Sequence, residues 1–173
     1  MKKHLLTIFA VALLAAGAGL FAGAKKFEPV APAHEATAQL LAQTLPDADG
    51  KPQPLSQWRG KNLVVNFWAT WCAPCVEEMP ELTALQTEVA PRNIQILGIG
   101  IDSAANIAGF AKKYQISYPL YVSGMEGTQL SREFGNKAGG LPFTVLIGAD
   151  GTVRKTYLGR LKMEELRKDL SQL

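Results

Sequence analysis

The sequence predicts an α/β domain built on one mixed sheet with helices on both faces. Two mostly apolar, β-branched and aromatic runs, residues 62–69 and 94–101, have the composition of strands covered on both sides. Segments of helical period alternate with the strands, and a hairpin signal at Ala149-Asp150-Gly151 precedes a last amphipathic stretch. At 173 residues and 47% hydrophobic content the chain can bury one ordinary core and not two.

Taken in order, residues 1–24 read as an export leader, 25–38 as an extended tether rich in Pro and Ala, and 39–173 as the folded domain. Within the domain, residues 40–45 suit a first strand, 46–50 a turn, and 54–60 a turn-rich connection into the strand at 62–69. Val76, Met79, Leu82, Leu85 and Val89 recur at helical spacing, with Pro80 as an expected kink. The strand at 94–101 leads to a helix over 104–114 and a short strand over 118–122. A helix over 128–134, a strand over 143–147 and a hairpin partner over 152–158 follow. Met163, Leu166, Leu170 and Leu173 share a face of the closing helix.

The formal charge is +3, and setting aside Lys2 and Lys3 leaves 16 basic against 15 acidic residues, which offers no footprint for nucleic acid. Lys2 and Lys3 precede an uncharged run over residues 5–23. Ala16 with Ala18, and Ala22 with Ala24, form patterns a signal peptidase could cut. The length of the run favours a retained membrane anchor, with soluble release after cleavage as the alternative. Either way the domain is expected on the extracytoplasmic side, where disulfides persist unless they are actively reduced.

The only two cysteines stand in Trp71-Cys72-Ala73-Pro74-Cys75, directly after an apolar run and at the mouth of a helical pattern. Such a pair can close into a disulfide and reopen. At a helix N-terminus, unpaired N–H groups and the positive end of the dipole stabilise a Cys72 thiolate, which makes Cys72 the expected nucleophile. Cys75, one turn further in, would resolve the mixed disulfide, and Pro74 suits the first turn because its missing N–H has no helical partner. A purely structural disulfide would constrain so short a loop little. Zinc would need two further ligands, and the only histidines are His4 in the leader and His34 ahead of the expected domain.

Two more groups belong with the dithiol. Pro142 opens a strand after Gly139-Gly140-Leu141, where a cis peptide would turn the chain and leave the Leu141 backbone free to pair with an extended substrate. Local sequence alone leaves cis and trans open. Glu78, three residues after Cys75 on the helix, can bring a carboxylate to the same face for proton transfer, whereas its neighbour Glu77 reads as a solvated acid. Trp71 is expected to lie as a flat apolar shield beside the sulfurs, and Trp71, Pro74 and Leu141 are the candidate substrate contacts.

The segment 64–80, VVNFWATWCAPCVEEMP, resembles the active-site strand and helix of the TlpA/ResA/CcmG (DsbE)-like branch of the thioredoxin superfamily. The Asp49-Gly50-Lys51 turn, Arg59-Gly60-Lys61 and Leu141-Pro142-Phe143-Thr144 extend the resemblance over residues 39–173. It implies a thioredoxin fold, with Pro142 as the cis-proline facing the dithiol. It further implies an exported, often membrane-tethered reductase of specific disulfides, of the kind used in cytochrome c maturation or copper-site assembly. No cofactor is implied. The chain has no further cysteine and no nucleotide fingerprint with which to recharge its dithiol, so electrons must come from an outside thiol partner. The resemblance points to a membrane reductant of the DsbD or CcdA kind. Two departures from thioredoxin stand out. Asn66 occupies the place of its buried aspartate, which shifts proton handling toward Glu78. The 39 residues between Asp102 and Pro142 suggest an inserted helix and strand. Thiol oxidation, peroxide reduction and copper(I) carriage between the two thiolates are the competing readings, since motif spacing does not set the direction of electron flow.

Overall fold

The computed structural model describes residues 32–173, so the expectations for residues 1–31 lie outside the described residues. The first element, α1 (Pro32–Ala42), replaces the end of the expected tether and the first half of the strand expected at 40–45, of which only residues 44 and 45 are extended. Ala36, Leu40 and Leu41 fall on one side of this helix and are buried, and proline at its first position sacrifices no helical hydrogen bond. His34, expected ahead of the domain, is within it and bonds through Nε2 to Thr152 Oγ1 at 3.0 Å.

Strands β1 (Thr44–Pro46) and β2 (Pro52–Pro54) form a small antiparallel hairpin. Asp47 fixes its turn by accepting the N–H groups of Asp49 and Lys51 at 3.0 and 2.9 Å. A single 3-10 turn, Leu55–Trp58, leads into the main sheet.

That sheet contains β3 (Asn62–Trp68), β4 (Ile94–Gly100), β5 (Leu120–Val122), β6 (Phe143–Ile147) and β7 (Val153–Leu158) in the spatial order β5-β4-β3-β6-β7. β4 runs parallel to β3 and to β5, while β6 runs antiparallel to β3 and to β7. The mixed sheet is thus the expected one. Four helices complete it: α2 (Ala73–Val89), α3 (Ala104–Tyr114), α4 (Glu126–Glu133) and α5 (Met163–Leu170). α2 continues through Pro80. α4 starts two residues earlier than its periodicity suggests, and α5 ends at Leu170, leaving Leu173 partly exposed instead of on the buried face.

Alternation along β3 divides the core in two. Val64 and Trp68 face the layer of α2, α3 and α5, with Met79, Leu82, Ile107, Phe110 and Leu166. Leu63, Val65 and Phe67 face α1 and α4, with Leu40, Leu130 and Phe134. Asn66 is the polar residue in the α2-facing row of β3, and its register partners are Gly98 on β4 and Thr144 on β6. The C-terminal ends of β3, β4 and β5 lie at the same sheet edge as the start of β6 and the end of β7. Among the described residues, no helix is long and apolar enough to cross a membrane.

Candidate active site

β3 delivers the chain to that sheet edge, and α2 leaves from it. Cys72 is the N-cap of α2, with extended backbone angles of −92° and 100°, and Pro74 lies in the first turn. Cys72 and Cys75 are joined in a disulfide, and the Cys75 N–H points at Cys72 Sγ from 3.3 Å. Cys72 keeps 7% of its surface exposed and Cys75 none, so only the first sulfur faces an incoming partner.

Thr70, two residues before Cys72, is pinned from the end of β4. Asp102, just past that strand, accepts the Thr70 N–H at 3.2 Å and the Thr70 hydroxyl through the same carboxylate oxygen. Its other oxygen takes the Ser103 N–H and the Asn106 side-chain N–H, both at 2.7 Å. Partial burial opposes ionisation of Asp102, but the donors of Thr70, Asn106 and Ser103 outweigh it and hold the carboxyl below its ordinary range. Asp102→Ala removes all four bonds, so we expect destabilisation of about 1–3 kcal/mol and faster amide exchange at Thr70. Unchanged exchange at Thr70 would show that the loop is held by other contacts.

The Leu141–Pro142 peptide is cis, as the resemblance implies. Phe143 pairs with Phe67, which sets Pro142 beside the end of β3 and on the dithiol edge. Asn136 braces the preceding loop, donating to Gly140 O at 2.9 Å and to Ser131 Oγ at 3.3 Å and accepting the Gly140 N–H at 3.2 Å. The Leu141 N–H and C=O have no backbone partner among the described residues.

Trp71 departs from expectation. It is 69% exposed and so projects outward rather than covering the sulfurs; Cys75 is enclosed instead by the apolar layer beneath α2.

Glu78 is fully buried, while Glu77 is exposed and pairs with Arg160 at 2.7 Å. Arg160 also reaches Glu81 at 3.0 Å, bridging two acids one turn apart on α2. The next residue, Leu161, donates its N–H to Glu78 Oε2 at 2.8 Å, and Asn66 Nδ2 donates to Oε1 at 2.8 Å. Burial pushes the Glu78 carboxyl up to about 7, against the opposing pull of these two donors and of Arg160. A buried acid poised near neutrality, one helical turn from Cys75, can take or return a proton where a thiol must ionise. Sequence spacing points to this face of α2 but not to the braces around the site: Asp102 and Arg160 act on Thr70, Glu77 and Glu81, far away in the chain. Among the described residues, no group of three or more histidine, cysteine or acidic side chains is arranged to hold a metal.

The model of the redoxin family matches residues 29–172. The chain belongs to the redoxin family. This redoxin is 30% identical over 145 residues to the thiol-disulfide oxidoreductase ResA of Geobacillus thermodenitrificans strain NG80-2, covering 80% of this chain and 81% of that protein. A thioredoxin-family thiol:disulfide interchange protein from Chlorobium tepidum TLS superposes with a TM-score of 0.64 at 27% identity, over 76% of this chain and 95% of the other. A secreted Mycobacterium tuberculosis disulfide oxidoreductase homologous to E. coli DsbE has the same fold. Its TM-score is 0.65 at 22% identity, over 78% of the redoxin and 98% of the neighbour. The redoxin is a thiol-disulfide oxidoreductase similar to ResA, built on a thioredoxin-like fold.

Proposed function

We propose that this redoxin is an extracytoplasmic reductase of protein disulfides, in which Cys72 attacks and Cys75 resolves. The observation that carries the reading is a dithiol at a helix N-terminus with a buried acid, rather than a base, beside it. In the forward direction the Cys72 thiolate attacks a client disulfide, forming one mixed disulfide and expelling the client's second sulfur as a thiolate. Cys75 then loses its proton to Glu78 and displaces the client from Cys72. Two electrons pass to the client, its two sulfurs take up protons, and the redoxin is left with the Cys72–Cys75 disulfide.

Direction follows from what stabilises the reduced pair. Among the described residues, the one hydrogen bond to Cys72 Sγ comes from the Cys75 N–H, and no basic side chain is bonded to either sulfur. A strong dithiol oxidant depends on a specially stabilised thiolate. Here a carboxylate near the pair opposes a second negative charge beside it, which favours the disulfide over the reduced pair.

A protein client also suits the exposed apolar side chains. Trp71 (69%), Met125 (80%) and Leu158 (65%) are three of the four large apolar residues exposed among those described, and all three stand around the dithiol edge. Gly124 N–H bonds to Gly100 O, which brings Met125 to the end of β4, and Leu158 pairs with Phe143 next to Pro142. A client half-cystine with apolar flanks would meet Trp71, Pro74 and Leu141 near the sulfur and Met125 or Leu158 further out. Proteins of the cytochrome c maturation or copper-site assembly type are the clients the family resemblance favours. A membrane thiol reductant of the DsbD or CcdA type would return the electrons. The leader over residues 1–24 supports a place on the outer face of the bacterial inner membrane, anchored or released after cleavage.

The reduction potential of the full chain, equilibrated against defined thiol buffers, tests the direction. We expect a value below about −200 mV, on the reducing side of the roughly −120 mV typical of a strong dithiol oxidant. A value near −120 mV would reverse the assignment to thiol oxidation.

A further inference from the structure

Asn66 is fully buried between the dithiol helix and the strand that follows Pro142. Its Nδ2 donates to Glu78 Oε1 at 2.8 Å and to Thr144 Oγ1 at 3.0 Å, while its Oδ1 is buried with no partner among the described residues. This orientation suits an ionised Glu78, because a carboxylate only accepts and both of its donors, Asn66 Nδ2 and the Leu161 N–H, are N–H groups. It does not suit a protonated Glu78, whose new O–H would face the Asn66 NH₂ with nothing to receive it. Burial nonetheless favours the neutral acid. A half-turn of the amide about its terminal torsion resolves the mismatch. Oδ1 then occupies the former place of Nδ2, where it accepts the Glu78 O–H and, once the Thr144 hydroxyl has rotated, the Thr144 O–H. Each orientation makes two hydrogen bonds from the Asn66 side chain and leaves one of its polar groups unpaired, so the proton on Glu78 decides between them.

We propose that Asn66 is a positioning residue for disulfide exchange, its amide turning over whenever Glu78 gains or loses a proton and so carrying that event to Thr144, two residues beyond Pro142. This rests on the reading that Glu78 exchanges a proton with the dithiol, and it adds a link from that proton to the strand that would hold the client. Arg160 and Glu81 bear on the charge of Glu78 from one side. Tyr118, whose hydroxyl is buried without a partner among the described residues, bears on it from the segment before β5. All of these remain in place in the test.

The test is an NMR titration of the full-length oxidised protein from pH 5 to 9, following the Glu78 side-chain carboxyl carbon together with the Asn66 side-chain NH₂ and the Thr144 hydroxyl and methyl signals. All three residues should move with one common midpoint, and the nuclear Overhauser contact between the Asn66 NH₂ and Thr144 should fade toward low pH. In Glu78→Gln the glutamine NH₂ donates permanently, so the Asn66 signals should stay fixed near their low-pH positions. Asn66 signals that stay still while Glu78 titrates, or a Glu78 carboxyl that does not titrate in this range, would overturn the proposal. No client and no electron transfer enter this titration, so its outcome is independent of the reduction potential that tests the reductase reading.

Discussion

Cys72→Ser is expected to lose disulfide reduction by a factor of about 10³ or more, because the nucleophile is gone and the fully buried Cys75 cannot meet a client sulfur in its place. Cys75→Ser should behave differently. Cys72 retains its position at the N-cap of α2 and still attacks, but nothing resolves the product, so a mixed disulfide with the client accumulates. Expressed in its native cell and separated on a non-reducing gel, the Cys75→Ser protein should carry a thiol-sensitive adduct that is missing when Cys72 is also replaced. Adducts formed equally well without Cys72 would reverse the roles of the two sulfurs.

The second large effect concerns Glu78 and has a definite sign. Its folded carboxyl titrates at about 7, against an ordinary value of 4.5. The folded state therefore holds this proton more tightly than the unfolded chain does, and the resulting stabilisation is complete below pH 4.5 and lost as the pH rises to about 7. At 1.36 kcal/mol per pH unit the loss amounts to about 3 kcal/mol. Urea unfolding of the oxidised protein at pH 4.5, 6 and 8 should show this decline in the wild type and a flatter profile in Glu78→Gln. Turnover by the variant should need a higher pH, since Cys75 must then give its proton directly to solvent. Superimposable pH profiles for stability and rate in the two proteins would remove Glu78 from proton transfer.

The parts that were legible in the sequence are those whose signal is local. β3 and β4 announce themselves as unbroken apolar runs, and the dithiol lies where such a run meets a helical period. α1 has a weak signature because its buried face rests on Ala36, Leu40 and Leu41 amid alanine and polar residues, and the adjacent leucines also suit a strand. Trp71 illustrates the opposite error. An aromatic residue beside a reactive sulfur invites a packing role, yet its direction depends on a loop held by Asp102, a residue with no local mark of importance. The spacing of Glu78 from Cys75 is plain in the chain, but its burial is completed by Asn66 and by Leu161, which lies 83 residues further on. Long-range closure of that kind leaves no periodicity to read.

The placement of α1 separates the fate of the proposed leader from that of the enzyme. The candidate cleavage patterns end at Ala18 and Ala24, and the helix starts at Pro32, so cutting at either pattern spares every residue that α1 contributes to the core. Anchored and released forms would then carry the same catalytic machinery and differ only in their local concentration near the proposed membrane reductant. A mutation in the leader could shift the protein between a captive and a roaming enzyme without altering its chemistry, whereas trimming as far as residue 39 would bare the apolar face around Leu55, Val65 and Phe67 that the helix covers.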